Sequence, residues 1–248
     1  RGLSIEFRHQ VNDPVWKTIW DVAFSLASGI LALVFGVALG NVLRGMTLDA
    51  SGHFFLGLWT DFGVNPPVGV LDWYTLTVGL LAFTTLTVHG SLWVAYRTEG
   101  EVVDRANVAA WGGLAGMVAL AAAATILTLR VQPQLLANLR DHPWGYVFPA
   151  IATVGFLGIP AFKLVGDDLK AFLSSSVCIS GMVSSAAFGI FPYVLPSDTD
   201  PALGLTVYNT ATAAHSLVIA LAWWTPGMLL AIGYTIFTHR KFSGKIAA

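Results

Sequence analysis

The charges divide the chain. Residues 22–43 contain no Asp, Glu, Lys or Arg, and neither do 73–96, 106–129, 142–162 or 171–197. A sixth uncharged window, 201–239, opens as a polar loop and then turns apolar. Each window can hold the ~20 residues of helix that cross a hydrocarbon core. Apolar residues recur on every side of a helical wheel, without the alternating ten-residue segments of a barrel. The pattern predicts an all-α membrane protein. It is read as a bundle of about six transmembrane helices over 18–43, 73–96, 106–129, 143–162, 171–194 and 213–238, in a single helical domain, 1–248.

Local signals add detail. Gly36 with Gly40, and Gly112 with Gly116, have the spacing of close helix contacts. Pro149 and Pro226 fall inside spans and are expected to kink them. Ser176, Ser180 and Ser184 form a stripe that should face another helix, because lipid offers hydroxyls no partner. "TEGE" puts Thr98 three residues before Glu101, the spacing of a capping box opening the third span. Trp59, Trp73, Tyr74, Trp93, Tyr96, Trp144 and Tyr146 lie near span ends, where amphipathic rings favour headgroups. The stretch 51–62 is apolar but short, and is expected on the outer surface.

Composition agrees. Hydrophobic residues are 55% of the chain and charged residues 11%, and mean hydropathy is +0.69. A water-soluble domain carries roughly twice that charge. A net charge of −1 supplies no basic face for nucleic acid. The one cysteine, Cys178, allows no internal disulfide; it sits in an apolar helix and reads as a packing residue.

Lys and Arg orient the spans. The N-terminal side holds ten of them: Arg1, Arg8, Lys17, Arg97, Arg105, Lys163, Lys170, Arg240, Lys241 and Lys245. The other side holds three: Arg44, Arg130 and Arg140. Cytoplasmic loops carry the excess of basic residues, so both termini are expected in the cytoplasm.

Few polar groups need a functional reading. Glu6 and Asp21 sit at the cytoplasmic membrane boundary beside Phe7 and Trp20. A carboxyl there wants water or a partner, and can serve as a proton step; the plainer reading is a surface charge paired with Arg8 or Lys17. His89 and His215 lie on different spans and toward opposite sides, so they are expected to pack rather than hold a haem between them. No phosphate loop, metal-ligand spacing or nucleophile elbow is present, and no catalytic, cofactor-binding or metal residue is assigned.

Several strings taken together resemble subunit II of the cytochrome bd-type quinol oxidases, including the cyanide-insensitive branch. They are "RGLSIEFR", "WKTIWDVAFSLAS", "VFGVALGNVLRG", "HGSLWVAYRTEGEVVDRA", "DHPW", "FGIFPYVLPSDTDP" and "LTVYN". They stand in the family's order and cover most of the chain. The resemblance implies eight helices as two four-helix bundles, so that this chain looks like a fragment beginning after two earlier helices. Those carry the family's Trp–Asp pair. It further implies a subunit without haem of its own. Its partner, subunit I, would hold haems b and d, or b-type haems only, and the quinol-oxidising loop. Small single-span subunits, membrane lipid and a structural quinone are further companions of such a complex.

The resemblance also assigns residues. Glu6 matches the family's acid in "F-acid-Y/F-R", implicated in proton delivery. Asp21 matches the acid of the "WDWAF"-like string and is the second proton-transfer candidate, with a structural role as its alternative. Trp20, His89, Arg97, Glu99 and Glu101 fall in the matching strings and are carried as structural or interface residues. Asn209 is carried with them. "LTVYNTATA" departs from the family's "LTVWDASSS": Asn209 replaces the aspartate and Tyr208 the tryptophan. An amide relays no proton but can cap the last span. The function this implies is an accessory subunit that stabilises the haem-bearing subunit and offers a cytoplasmic proton route for the reduction of dioxygen. A secondary transporter is the alternative; the near absence of charge at mid-span weighs against it. An independent b-type cytochrome would need paired histidines at one depth.

Overall fold

The computed structural model describes residues 1–245 apart from 50, 52, 55, 66, 67 and 243. A short α1 (Gly2–Phe7) leads into α2 (Pro14–Arg44), followed by α3 (Trp73–Arg97) and α4 (Glu101–Val131). Next come α5 (Gln134–Asp141), a 3-10 turn over Pro143–Tyr146, α6 (Val147–Val165) and α7 (Asp168–Ile190). A two-stranded hairpin (β1, Tyr193–Leu195; β2, Leu205–Thr206) precedes α8 (Ala214–Lys241). Among the described residues, six helices are long and apolar enough to cross a membrane: α2, α3, α4, α6 with its 3-10 turn, α7 and α8. Among the described residues the protein is all-α apart from the hairpin and an isolated bridge between Met46 and Ser197.

Polar side chains set the helix starts. Asp13 accepts from the Val15 and Trp16 amides, with Pro14 in the first turn of α2, where its missing N–H costs nothing. Asp72 and Thr75 form a reciprocal capping box on α3. Asp167 accepts from the Lys170 amide at the start of α7. The box expected from "TEGE" does not form. Thr98 instead ends α3, donating from its hydroxyl to Val94 O at 2.7 Å. Gly100 opens α4 with φ 75° and no side-chain cap. With Gly100 at the N-cap, Thr98 lies two residues ahead of the capping position, its hydroxyl already engaged with Val94.

The helices pack as a chain of neighbours, α2 on α3, α3 on α4 and α7, and α6 on α7. One core cluster joins Val88 and Leu92 of α3 to Ala110 and Leu114 of α4, Ile159 of α6 and Ala171 of α7. Tyr74, expected at the headgroups, is fully buried and shares a hydrogen bond with Thr128 of α4 at 3.1 Å. Close contacts use glycine. A Cβ on Gly36 would lie 2.7 Å from Gly79 Cα, and one on Gly181 would lie 2.7 Å from Ala152 Cα. On α4 the tight position is Gly113, against Val88, rather than Gly112, which faces open space.

Other local expectations shift in position. Pro149 lies in the first turn of α6, where no intrahelical bond is lost; the interior prolines are Pro160 and Pro226. The Ser176/Ser180/Ser184 stripe does not make the tightest contacts: Ser180 is exposed, and Ser176 and Ser180 donate to carbonyls of their own helix. The buried face of α7 runs through Ala171, Ser175, Cys178 and Gly181, because small residues let α3 and α6 approach. Stretch 51–62, of which 52 and 55 lie outside the described residues, forms a loop. It is tied back by Val70 N to Gly57 O (2.9 Å) and Leu71 N to Leu58 O (2.8 Å). α8 stands apart, with none of its residues buried.

Candidate functional site

The residues 1–8 and the start of α2 fold onto each other. Phe7 stacks on Trp20 with ring centroids 5.3 Å apart, and Trp16 meets Trp20 edge-on at 5.7 Å. The Trp16 indole donates to the Phe7 carbonyl at 2.7 Å. Arg8 grips Asp21 with two bonds, Nε to Oδ1 at 2.5 Å and Nη2 to Oδ2 at 3.1 Å. Arg1 lies over the Phe24 ring at 5.1 Å. Ser4 is the buried residue of α1. The local pattern explains this clasp. Trp16, Trp20 and Phe24 recur every four residues along one face of α2, and Asp21 flanks that face.

The clasp separates the two acids. Asp21 is held by a bidentate, charge-assisted pair. That pair raises the Arg8 guanidinium above its ordinary value, first through the hydrogen bond and then through the charge of Asp21. Glu6 takes no part in that pair. It is exposed and has no hydrogen bond or ion pair among the described residues. The Trp20 indole N–H is buried and has no acceptor among the described residues.

The remaining predicted residues lie elsewhere. His89 lies against α7. Its Nδ1 shares a hydrogen bond with Ser175 Oγ of α7 at 2.7 Å, and its ring stacks on Phe172 at 4.6 Å. Arg97 donates to the Phe242 carbonyl and sits over Trp93 at 5.6 Å. Glu99 is exposed in the α3–α4 turn, and Glu101 pairs with Arg105 at 3.3 Å on an exposed face. Asn209 does not cap α8, whose N-cap is Ala213. It closes the turn after β2, accepting from Thr206 N (2.7 Å) and donating to Gly204 O (3.1 Å). Four residues of loop separate it from the helix, too far for a cap bond.

A further site was hidden in the sequence. Arg44 ends α2 and pairs with Asp72, the cap of α3, with side chains only 2% and 0% exposed. Arg44 also donates to Asn41 Oδ1 (2.7 Å) and Gly69 O (3.1 Å). Asn41 in turn donates to Val37 O and Val70 O, both at 2.9 Å. Asp72 Oδ1 accepts from Thr75 N at 2.8 Å. The signal was present: an arginine closing one uncharged window and an aspartate opening the next. Counted only for orientation, Arg44 looked like a rim charge. A smaller pair, Lys163 with Asp168 at 2.5 Å, joins α6 to α7.

A haem does not fit these residues. His89 is engaged with Ser175, while His215 is exposed at the start of α8, the end away from the Trp93–His239 contact with α3. No group of three His, Cys, Asp or Glu gathers among the described residues.

Residues 1–242 match a known family, described as cytochrome bd terminal oxidase subunit II. The chain belongs to that family. Among curated relatives, a probable cytochrome oxidase subunit 2 of Haemophilus influenzae is 25% identical, over 100% of this chain and 71% of its own length. The cytochrome bd-I ubiquinol oxidase subunit 2 of Escherichia coli K12 is 23% identical over 99% and 70%. The Bacillus subtilis cytochrome bd ubiquinol oxidase subunit 2 is 25% identical over 100% and 70%. As a cytochrome bd subunit II, the chain is a multi-pass inner-membrane protein that works in a complex with a subunit I. That oxidase complex carries haem.

Proposed function

We propose that this subunit braces a haem-bearing subunit I and admits protons to it from the cytoplasmic side past Glu6, while the complex oxidises quinol and reduces dioxygen to water. Haem and quinol chemistry belong to the partner in this reading. Forming water consumes a proton for each electron, and moving charge into a low-dielectric site without that proton is expensive. A carboxyl at the aqueous rim can collect it.

The observation that carries the reading is the division of labour in the clasp. Arg8 takes Asp21, so the neighbouring acid, Glu6, keeps both oxygens free. Phe7 and Arg8 fasten the end of α1 to α2, and Glu6 beside them stays exposed. Asp21 then serves as an anchor: protonating it would break the bond to Arg8. With the ten basic residues on the cytoplasmic side, the clasp lies where protons enter.

Glu6→Gln in the assembled oxidase tests this. Turnover should fall roughly tenfold or more, with haem content and subunit ratio unchanged. Unchanged turnover in a fully assembled complex would remove Glu6 from the route.

A further inference from the structure

The C-terminal end of α8 carries a second feature. α8 buries none of its residues, yet its last turn is pinned to α3. Arg97 donates to the Phe242 carbonyl, and the Trp93 ring meets His239 edge-on at 5.6 Å. Beside this pin lies an open groove of about 400 Å³, lined by Gly233, Ile236, Phe237, Arg240 and Lys241. These residues follow i, i+3, i+4, i+7 and i+8, so they share one helix face. A Cβ on Gly233 would touch nothing within 4 Å.

The order along that face is a gap, then two apolar walls, then two cations. Gly233 and Arg240 are separated by about 10 Å along the axis. That is the layout of an amphiphile with an anionic head and a chain beneath it. Charge points the same way: no Asp or Glu follows Asp200, while Arg240, Lys241 and Lys245 do. A topological bias or the helix dipole places cations at such an end. Neither calls for an open notch about two turns below them.

We propose that this corner binds an anionic phospholipid, its phosphate between Arg240 and Lys241 and one acyl chain over Gly233 between Ile236 and Phe237. Arg97 and Trp93 fix the helix end that presents the cations. The lipid would cover a part of α8 that no helix of this chain covers.

Native mass spectrometry of the delipidated, assembled oxidase tests the site, with phosphatidylglycerol and phosphatidylcholine added in parallel. The wild type is expected to retain phosphatidylglycerol at least several-fold better than phosphatidylcholine. Arg240→Gln with Lys241→Gln should bring the two to the same level. Gly233→Leu fills the notch and keeps the charges; it should also lower phosphatidylglycerol retention, which loss of a headgroup contact alone would not do. Equal retention of the two lipids by the wild type would overturn the proposal. So would phosphatidylglycerol retention unchanged in either variant. Visible spectra and subunit mass confirm that each variant is assembled.

Discussion

Glu6 and Asp21 are both rim acids, and what separates them is a single guanidinium. Asp21→Asn is expected to release Arg8 and loosen the clasp, lowering the yield of assembled complex at least as much as turnover. The exchange of Arg8→Asp with Asp21→Arg should restore assembly if the pair is an anchor. A loss of turnover in Asp21→Asn with normal assembly would contradict this. The Arg44–Asp72 pair behaves differently because it is buried. Removing one partner strands a charge in a dry site, at a cost of about 3–5 kcal/mol. Asp72→Asn should therefore lower the midpoint of thermal unfolding sharply. Replacing both, Arg44→Met with Asp72→Leu, should harm less than Asp72→Asn alone. Sequence alone exposed the candidate at Glu6, because its flanking residues are distinctive. It hid Arg44, because nothing in one dimension tells a rim cation from a buried one. Whether Glu6 or Asp21 was the free acid was equally hidden: that depends on a contact across thirteen residues.

Among elements, the transmembrane helices were legible because an uncharged window of sufficient length has few other stable outcomes in lipid. Their ends were less so. α4 begins at Glu101, well before its uncharged window, since charged residues continue a helix outside the hydrocarbon. The faces were the hardest part. Ser176, Ser180 and Ser184 share the right spacing, but the packed stripe is one position away, chosen by where Gly155 and Gly181 let α6 and α7 touch. Enlarging either glycine should separate those helices: Gly181→Leu is expected to cost about 1–3 kcal/mol, read as a lowered midpoint in thermal unfolding. At the start of α7, Asp167 has a lowered pKa through its hydrogen bonds from the Lys170 side chain and backbone. Its contribution is present above the ordinary carboxylate range and is lost as pH falls through that lowered value. Asp167→Asn should accordingly lose stability near neutral pH and show a flatter acid-side dependence than the wild type.

The whole molecule is an incomplete surface by itself. Leu26, Ile30 and Phe35 of α2 are 60%, 59% and 67% exposed, and α8 shows apolar side chains along its length. Lipid and subunit I are the solvents that such faces fit. This agrees with a bracing role, in which α3, α4, α6 and α7 form the shared core and α2 presents the clasp. The orientation we propose rests on ten basic residues against three, and it would put Glu6 on the cytoplasmic side. A single-cysteine variant at Ser4 would be a poor reporter because that side chain is buried; Gly2→Cys is exposed. Labelling Gly2→Cys with a membrane-impermeant thiol reagent should succeed only in inverted vesicles. Labelling of intact cells would reverse the topology and move Glu6 to the wrong side.

Proton uptake itself is the most direct measure of the central claim. In proteoliposomes carrying the assembled oxidase, a pH-sensitive dye on the cytoplasmic face can follow a single turnover with dioxygen. Glu6→Gln is expected to slow dye-reported uptake roughly tenfold or more while reduction of the haems by quinol keeps its wild-type rate. Wild-type uptake in that variant, with the complex fully assembled, would contradict the account.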